Sequence, residues 1–398
     1  MLTVTRGMQS PPRDNVRLFA LFAEALRRHA AGDASASRLL QARNYLAVTT
    51  IATAEPIGPD GVEAFRAVAS ALSMDADYHP GITPEDLTTR NRVPGPEGEP
   101  GSYYFHAATR ILAGAQARER FYESWVYDVR PPSDEKPYFH SFFRWDSLRR
   151  YIDSYGRFWF QRLELGYAVV LVTFLQVLIA ALVLVLAPVL VLRARRRREG
   201  SPPPAAPPRA ALPWTLAHFT AIGLGFLLVE MLHIQRLTRF LGDPIYATAA
   251  VLTAILVFSG IGSIVQGRLP TRPSARRRIQ LGGAIVAALA LLYYLGLDPV
   301  LNTGLAAAEP LRFLIALLVL FPISFMLGWL MPAGLEAAGG ASRDLIPLAW
   351  AVNGVASVAA TPLSVMIAAG GGFLAVSLVA TGCYAAVAVF APSPDFGL

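Results

Sequence analysis

The sequence predicts an all-α membrane bundle of about seven transmembrane helices, preceded by a partial α/β soluble domain. Three observations carry this. Of 398 residues 54% are hydrophobic and 16% charged, and the mean hydropathy is +0.42, outside the soluble globular norm and inside the multi-pass membrane range. After about residue 165 the apolar residues gather into runs long enough to cross hydrocarbon. Before it, short β-branched runs alternate with segments of helical period.

Taken in order, MLTVTRGMQSPPRDN lacks the apolar core of a signal peptide. Residues 15–31 carry apolar side chains at helical spacing, with Asp14 or Asn15 as N-cap after the Pro11-Pro12 pair, and so predict a helix. The run 45–54, YLAVTTIATA, is short and β-branched and predicts a buried strand. A second helix is expected over 61–74, then a short strand or loop around Tyr78 ending at Pro80-Gly81. RVPGPEGEPGS, 92–102, is an exposed loop by its prolines and glycines, and 103–112 a further helix. The domain, 1–162, closes on VRPPSDEKPYFHSFFRW. Nowhere before its strands is there a glycine-rich strand-to-helix turn of the kind that seats a nucleotide.

Seven apolar spans follow, at 165–192, 214–232, 245–265, 279–297, 311–331, 345–369 and 371–391. These divide the rest of the chain into a first span (163–192), an Arg/Pro-rich linker (193–212, disordered or polyproline-like), a six-helix domain (213–392) and a tail (393–398). If the loops alternate sides, one face receives twelve arginines (Arg193, Arg195 to Arg198, Arg209, Arg268, Arg272, Arg276 to Arg278 and Arg343) and the other only Arg236 and Arg239. The positive-inside rule places the richer face in the cytoplasm and the amino-terminal domain outside. The basic clusters adjoin the spans, so they are read as topology signals and no nucleic-acid partner is expected. The single cysteine, Cys383, excludes an internal disulfide and a CxxC metal site.

The polar residues within the spans are the first site candidates. Glu230, His233 and Arg236 fall at three-residue steps on one helix, so they share an edge while Met231 and Leu232 face elsewhere. That edge binds an ionic headgroup, relays protons, or is a Glu–Arg clamp at the interface. Asn353, deep in the sixth span beside Gly354, either hydrogen-bonds a neighbouring helix or contacts a ligand. In the soluble part, Asp134 and Glu135 either edge a cleft for cations or close a turn before Pro137. Tyr138, Phe139, Phe142, Phe143 and Trp145 either stack on a planar ligand or fill a core. His79, His106 and His140 stand singly, without the companions of a zinc site. Small residues at 259, 260, 262 and 263, and at 354, 357 and 361, permit close helix approach, and Pro322, Pro347 and Pro362 interrupt spans as in transporter-like bundles.

The order of DEKPYFHSFF within 129–145, an apolar span, GLGFLLVEMLHIQRLTRFLGDPIYA, FSGIGS and PLAWAVNGVASVAATPLSVMIA resembles the membrane-embedded spermidine-synthase-like proteins, in which a methyltransferase-type domain is fused to transmembrane helices. The likeness covers nearly the whole chain. It implies a Rossmann-like soluble part, aminopropyl- or methyl-transfer chemistry on an amine or lipid-associated acceptor, and S-adenosylmethionine or its decarboxylated form as cofactor. The residues that would seat that cofactor are missing, so the resemblance implies either a carboxy-terminal portion or a degenerate member, holding no cofactor by itself, with the catalytic residues expected before Met1 and none transferred. The second expectation is a non-enzymatic carrier with Glu230, Arg236 and Asn353 as its polar path. Both readings expect a bacterial inner-membrane protein whose partners are the lipid bilayer and a small-molecule substrate.

Overall fold

The computed structural model describes the chain apart from residues 30–33, 89, 94, 97–100, 159–164, 199–207, 269–272 and 393–398. Residues 199–207 of the expected linker, part of the 92–102 loop, Arg272 and the tail therefore lie outside the described residues, while 193–198 and 211–212 of that linker are helical rather than disordered or polyproline-like. The chain divides into two compact units, Met1–Tyr167 and Ala168–Leu398.

The first unit is α/β. In chain order it has β1 (Leu2–Gly7), α1 (Asp14–His29), β2 (Leu39–Arg43), β3 (Ala47–Ala52), α2 (Pro59–Ala71), β4 (Asp75–Tyr78), α3 (Tyr103–Leu112), α4 (Ala115–Ser124) and α5 (Leu148–Tyr155). The strands form one sheet in the order β1-β3-β2-β4, antiparallel at every pairing. A doubly wound sheet of the expected Rossmann-like type is mostly parallel, and none of the described pairings is. The passages β1–α1–β2 and β3–α2–β4 nevertheless each join two strands that run the same way, with one oppositely directed strand between them.

Local chemistry explains the elements. Ser102 Oγ accepts the Phe105 N–H at 3.1 Å, which caps α3 and sets its start. Asn44 Oδ1 accepts the N–H groups of Leu46 and Ala47, a side-chain turn that closes the β2–β3 hairpin. The core gathers Phe19 of α1, Leu39, Val48, Tyr78, Tyr104, Ile111 and Phe142, so part of the aromatic run is core. Arg43 of β2 is buried between Asp77 (3.0 Å) and Asp75 (3.4 Å) of β4. Burial pushes the Asp77 carboxyl up to about 6 against the opposing pull of Arg43 and the Ser102 hydroxyl. Burial also raises Asp75, but hydrogen bonds from Thr88, Asn91 and Arg90 and the charge of Arg43 leave it below its ordinary value.

Arg17 fastens the closing segment of this unit. Its guanidinium donates to the carbonyls of Asp128, Tyr138 (3.1 Å), Phe139 (2.6 Å) and Ser141 (2.9 Å), and lies 4.3 Å from the centre of the Phe142 ring. The segment joins no strand among the described residues, and one buried planar cation gathers four of its carbonyls, that of Tyr138 also accepting the Ser141 N–H at 3.1 Å.

The second unit is built of helices. They are α6 (Leu165–Arg198), which starts in the first unit, α7 (Ala211–Leu241), α8 (Pro244–Arg268), α9 (Ala275–Thr303), α10 (Glu309–Ala341) and α11 (Leu345–Val389). All six are long and apolar enough to cross a membrane, as in an integral membrane protein. Gly242, in the left-handed conformation (φ 79°), ends α7, and Asp243 Oδ1 accepts the N–H groups of Ile245 and Tyr246 to start α8.

Seven separate spans were expected, and the described helices are six because 345–369 and 371–391 join in α11. A straight helix of 45 residues would be about 68 Å long at 1.5 Å per residue, against roughly 30 Å of hydrocarbon. The helix is not straight. Gly372 interrupts it with φ 77° and ψ −177°, a conformation essentially reserved for glycine. Asn353 and Tyr384 line one cavity, although a straight helix would hold them about 46 Å apart. The chain therefore reverses at Gly372 into two arms.

Small residues let these helices meet. A Cβ on Gly262 of α8 would lie 2.1 Å from the Phe325 carbonyl oxygen of α10, and one on Gly328 of α10 would lie 2.0 Å from that of Ser259. The backbones touch there, as the small-residue pattern of the third span predicts. Gly354 does not serve this purpose, since nothing lies within 4 Å of the place its Cβ would take.

Candidate intramembrane site

Glu230, His233 and Arg236 share a buried edge of α7, as their spacing predicts. Their partners are not each other. The His233 Nδ1 lies 2.6 Å from the Val229 carbonyl oxygen of its own helix, and its ring stands edge-on to Tyr293 at 5.7 Å. Arg236 donates to the carbonyls of Tyr293 (2.9 Å) and Tyr294 (3.3 Å) on α9, just before Pro299 interrupts that helix. Its acidic partner is Asp298, at 3.8 Å, which also pairs with Arg239 at 3.3 Å. Of the readings open for this edge, the Glu230–Arg236 clamp is not formed, and Arg236 instead joins Asp298 and Arg239 in a cluster. Glu230 has no hydrogen-bond or ion-pair partner among the described residues.

Asn353 is drawn into a different place. A cavity of about 530 Å³ opens between α7, α8, α10 and both arms of α11, with Ile222, Phe226, Leu227, Leu256, Leu330, Met331 and Trp350 among its walls. The polar residues among its lining are Ser259 and Ser263 of α8 with Asn353, Ser357 and Tyr384 of α11. Ser357 Oγ donates to the Gly223 carbonyl at 3.3 Å. Tyr384 is fully buried, at 0% exposure, and its hydroxyl has no hydrogen-bond partner among the described residues. Gly225 makes room for it, since a Cβ there would come within 2.8 Å of the Tyr384 ring. The cavity can therefore take a mainly apolar body, with polar residues in its α8 and α11 walls.

Glu230, His233 and Arg236 do not line this cavity, whose α7 wall ends one turn earlier at Phe226 and Leu227. Tyr384 escaped the sequence reading altogether. Its only signal is a hydroxyl in an otherwise apolar run next to Cys383. The sequence marks Ser259 and Ser263 for helix packing, and both also line the cavity.

In the first unit, Asp134 and Glu135 form the two-residue turn between Ser133 and Lys136, which exchange backbone hydrogen bonds of 3.3 and 3.0 Å. The turn-closing reading accounts for their place. Among the described residues no group of three or more His, Cys, Asp or Glu is arranged to hold a metal ion. The strand-to-helix connections before α1 (8–13, MQSPPR) and α2 (53–58, TAEPIG) contain no glycine-rich turn. They do not fit the seat that an S-adenosyl cofactor needs in such a fold. No family model, curated protein or solved structure matches the chain.

Proposed function

We propose that this chain is a multi-pass membrane protein that binds, and by extension carries, a small amphipathic molecule within the bilayer, without catalysis of its own. One observation carries the reading: the buried Tyr384 hydroxyl, unpartnered among the described residues, at an apolar cavity that Asn353 also lines. Leaving such a hydroxyl unsatisfied costs about 1–3 kcal/mol. A ligand with one hydrogen-bonding group on an apolar body recovers that cost and fills the cavity. In purified protein in lipid nanodiscs, a bromoalkyl alcohol is expected to quench Trp350, which borders the cavity. Tyr384→Phe is expected to weaken the alcohol roughly 3- to 10-fold, the worth of one hydrogen bond, and to leave the matching bromoalkane unchanged. Equal losses for both probes, or the same quenching in Trp350→Phe, would remove the proposal.

The bundle crosses seven times, α11 supplying two passes through its reversal at Gly372, and the arginine-rich loops face the cytoplasm of a bacterial inner membrane. Reporters fused to the two ends should then fall on opposite sides, with the amino terminus outside. Two ends on one side would remove the seventh crossing.

A second reading keeps the spermidine-synthase-like resemblance, the chain being the carboxy-terminal part of a transferase whose cofactor-binding half is Rossmann-like. It is supported by the order of sequence segments alone, since β1–α1–β2 and β3–α2–β4 are split units with an opposed strand between their parallel strands rather than the adjacent parallel pairs of a doubly wound sheet. A cytoplasmic amino terminus would favour it, because the cofactor is expected there.

A further inference from the structure

Helix α5 of the first unit turns an apolar side outward. Trp145, in the 3-10 turn that leads into it, is 62% exposed, and Ile152 is 37% exposed. One flank is charged, Arg149 and Asp153 lying four residues apart on it and both exposed. The helix is held in this attitude. Arg150 donates to the carbonyls of Ser124 (2.6 Å) and Glu123 (3.1 Å) at the end of α4, and Trp145 meets the Phe143 ring edge-on at 5.0 Å.

Chain continuity says what covers this side. α5 ends at Tyr155, and α6, whose 166–184 stretch is apolar enough to cross a membrane, begins at Leu165. Ten residues span at most about 35 Å, so α5 is tethered within that distance of a membrane entry point. A short helix with an outward tryptophan and isoleucine and an arginine on its flank has the make-up of an interfacial helix, the indole at headgroup level and the arginine reaching phosphate.

We infer that α5 lies in the headgroup layer of the bilayer and seats the first unit on the membrane surface, its apolar side toward the acyl chains. The chain has a single cysteine, so Cys383→Ala gives a background for site-directed spin labels. Labels at Ile152→Cys, Trp145→Cys, Arg149→Cys and Asp153→Cys would be compared in the full chain in nanodiscs of phosphatidylethanolamine and phosphatidylglycerol. Oxygen, which concentrates in lipid, and a water-soluble nickel chelate serve as relaxing agents. Positions 152 and 145 are expected to favour oxygen over nickel, and 149 and 153 to favour nickel. Nickel accessibility at 152 and 145 equal to that at 153 would mean open solvent. Exclusion of both agents at 152 and 145 would mean cover by protein, a second copy included. Either result overturns the inference.

Discussion

Gly262→Ala is expected to destabilise the bundle by about 3 kcal/mol or more, while Gly260→Ala, two residues away on the same helix, leaves it unchanged or slightly stabilised. The added methyl at 262 would sit 2.1 Å from a backbone oxygen of α10, closer than real Cβ atoms come, and a carbonyl cannot swing aside as a side chain can. The helices must part, and the neighbouring close approach at Gly328 is lost with them. At 260 nothing lies within 4 Å, so only the helix-propensity gain of alanine over glycine remains, up to about 1 kcal/mol. Thermal unfolding in detergent followed by size-exclusion chromatography should separate the two variants by roughly 6 °C or more, taking about 2–4 °C per kcal/mol for a unit of this size. Matching midpoints would mean that the α8–α10 contact is looser than its geometry.

Arg17→Met is expected to release the segment from Asp128 to Ser141 and to cost the first unit about 3 kcal/mol or more, at about 1–3 kcal/mol for each buried acceptor left unsatisfied. Four carbonyls lose their only planar donor at once, and methionine, similar in length, leaves them facing an apolar side chain. Arg17→Lys keeps the charge but not the fork, so it should recover only part of the loss. Hydrogen exchange of residues 128–141 reads the effect directly. Protection that survives in the methionine variant would show that the Phe142 core contact holds the segment unaided.

The helix 103–112 was legible because its signals are local, with Ser102 standing next to the helix it caps. The strand Leu39–Arg43 was not legible. Gln41 and Arg43 occupy positions where alternation calls for apolar residues, and their burial depends on Thr50, Asp75 and Asp77, from other strands. β1 has a period of two in LTVT but is short and opens the chain, where it was read only for a leader. The same contrast governs the site. The spacing of Glu230, His233 and Arg236 fixes a shared helical edge, which geometry alone dictates. Which acid Arg236 meets depends on how α9 packs against α7, and Asp298 carries no mark of it in the sequence. Tyr384 was invisible for a further reason: the cavity it borders exists only because α11 folds back.

The reversal at Gly372 also orders events during synthesis. Asn353 leaves the ribosome 31 residues ahead of Tyr384, about 2–6 s earlier at 5–20 residues per second. Until the second arm arrives, the wall it will form is missing, and Ser357 and Asn353 face lipid or translocation machinery. A nascent chain halted before residue 372 holds only the first of the two arms that wall the cavity, and the arm after Gly372 closes it.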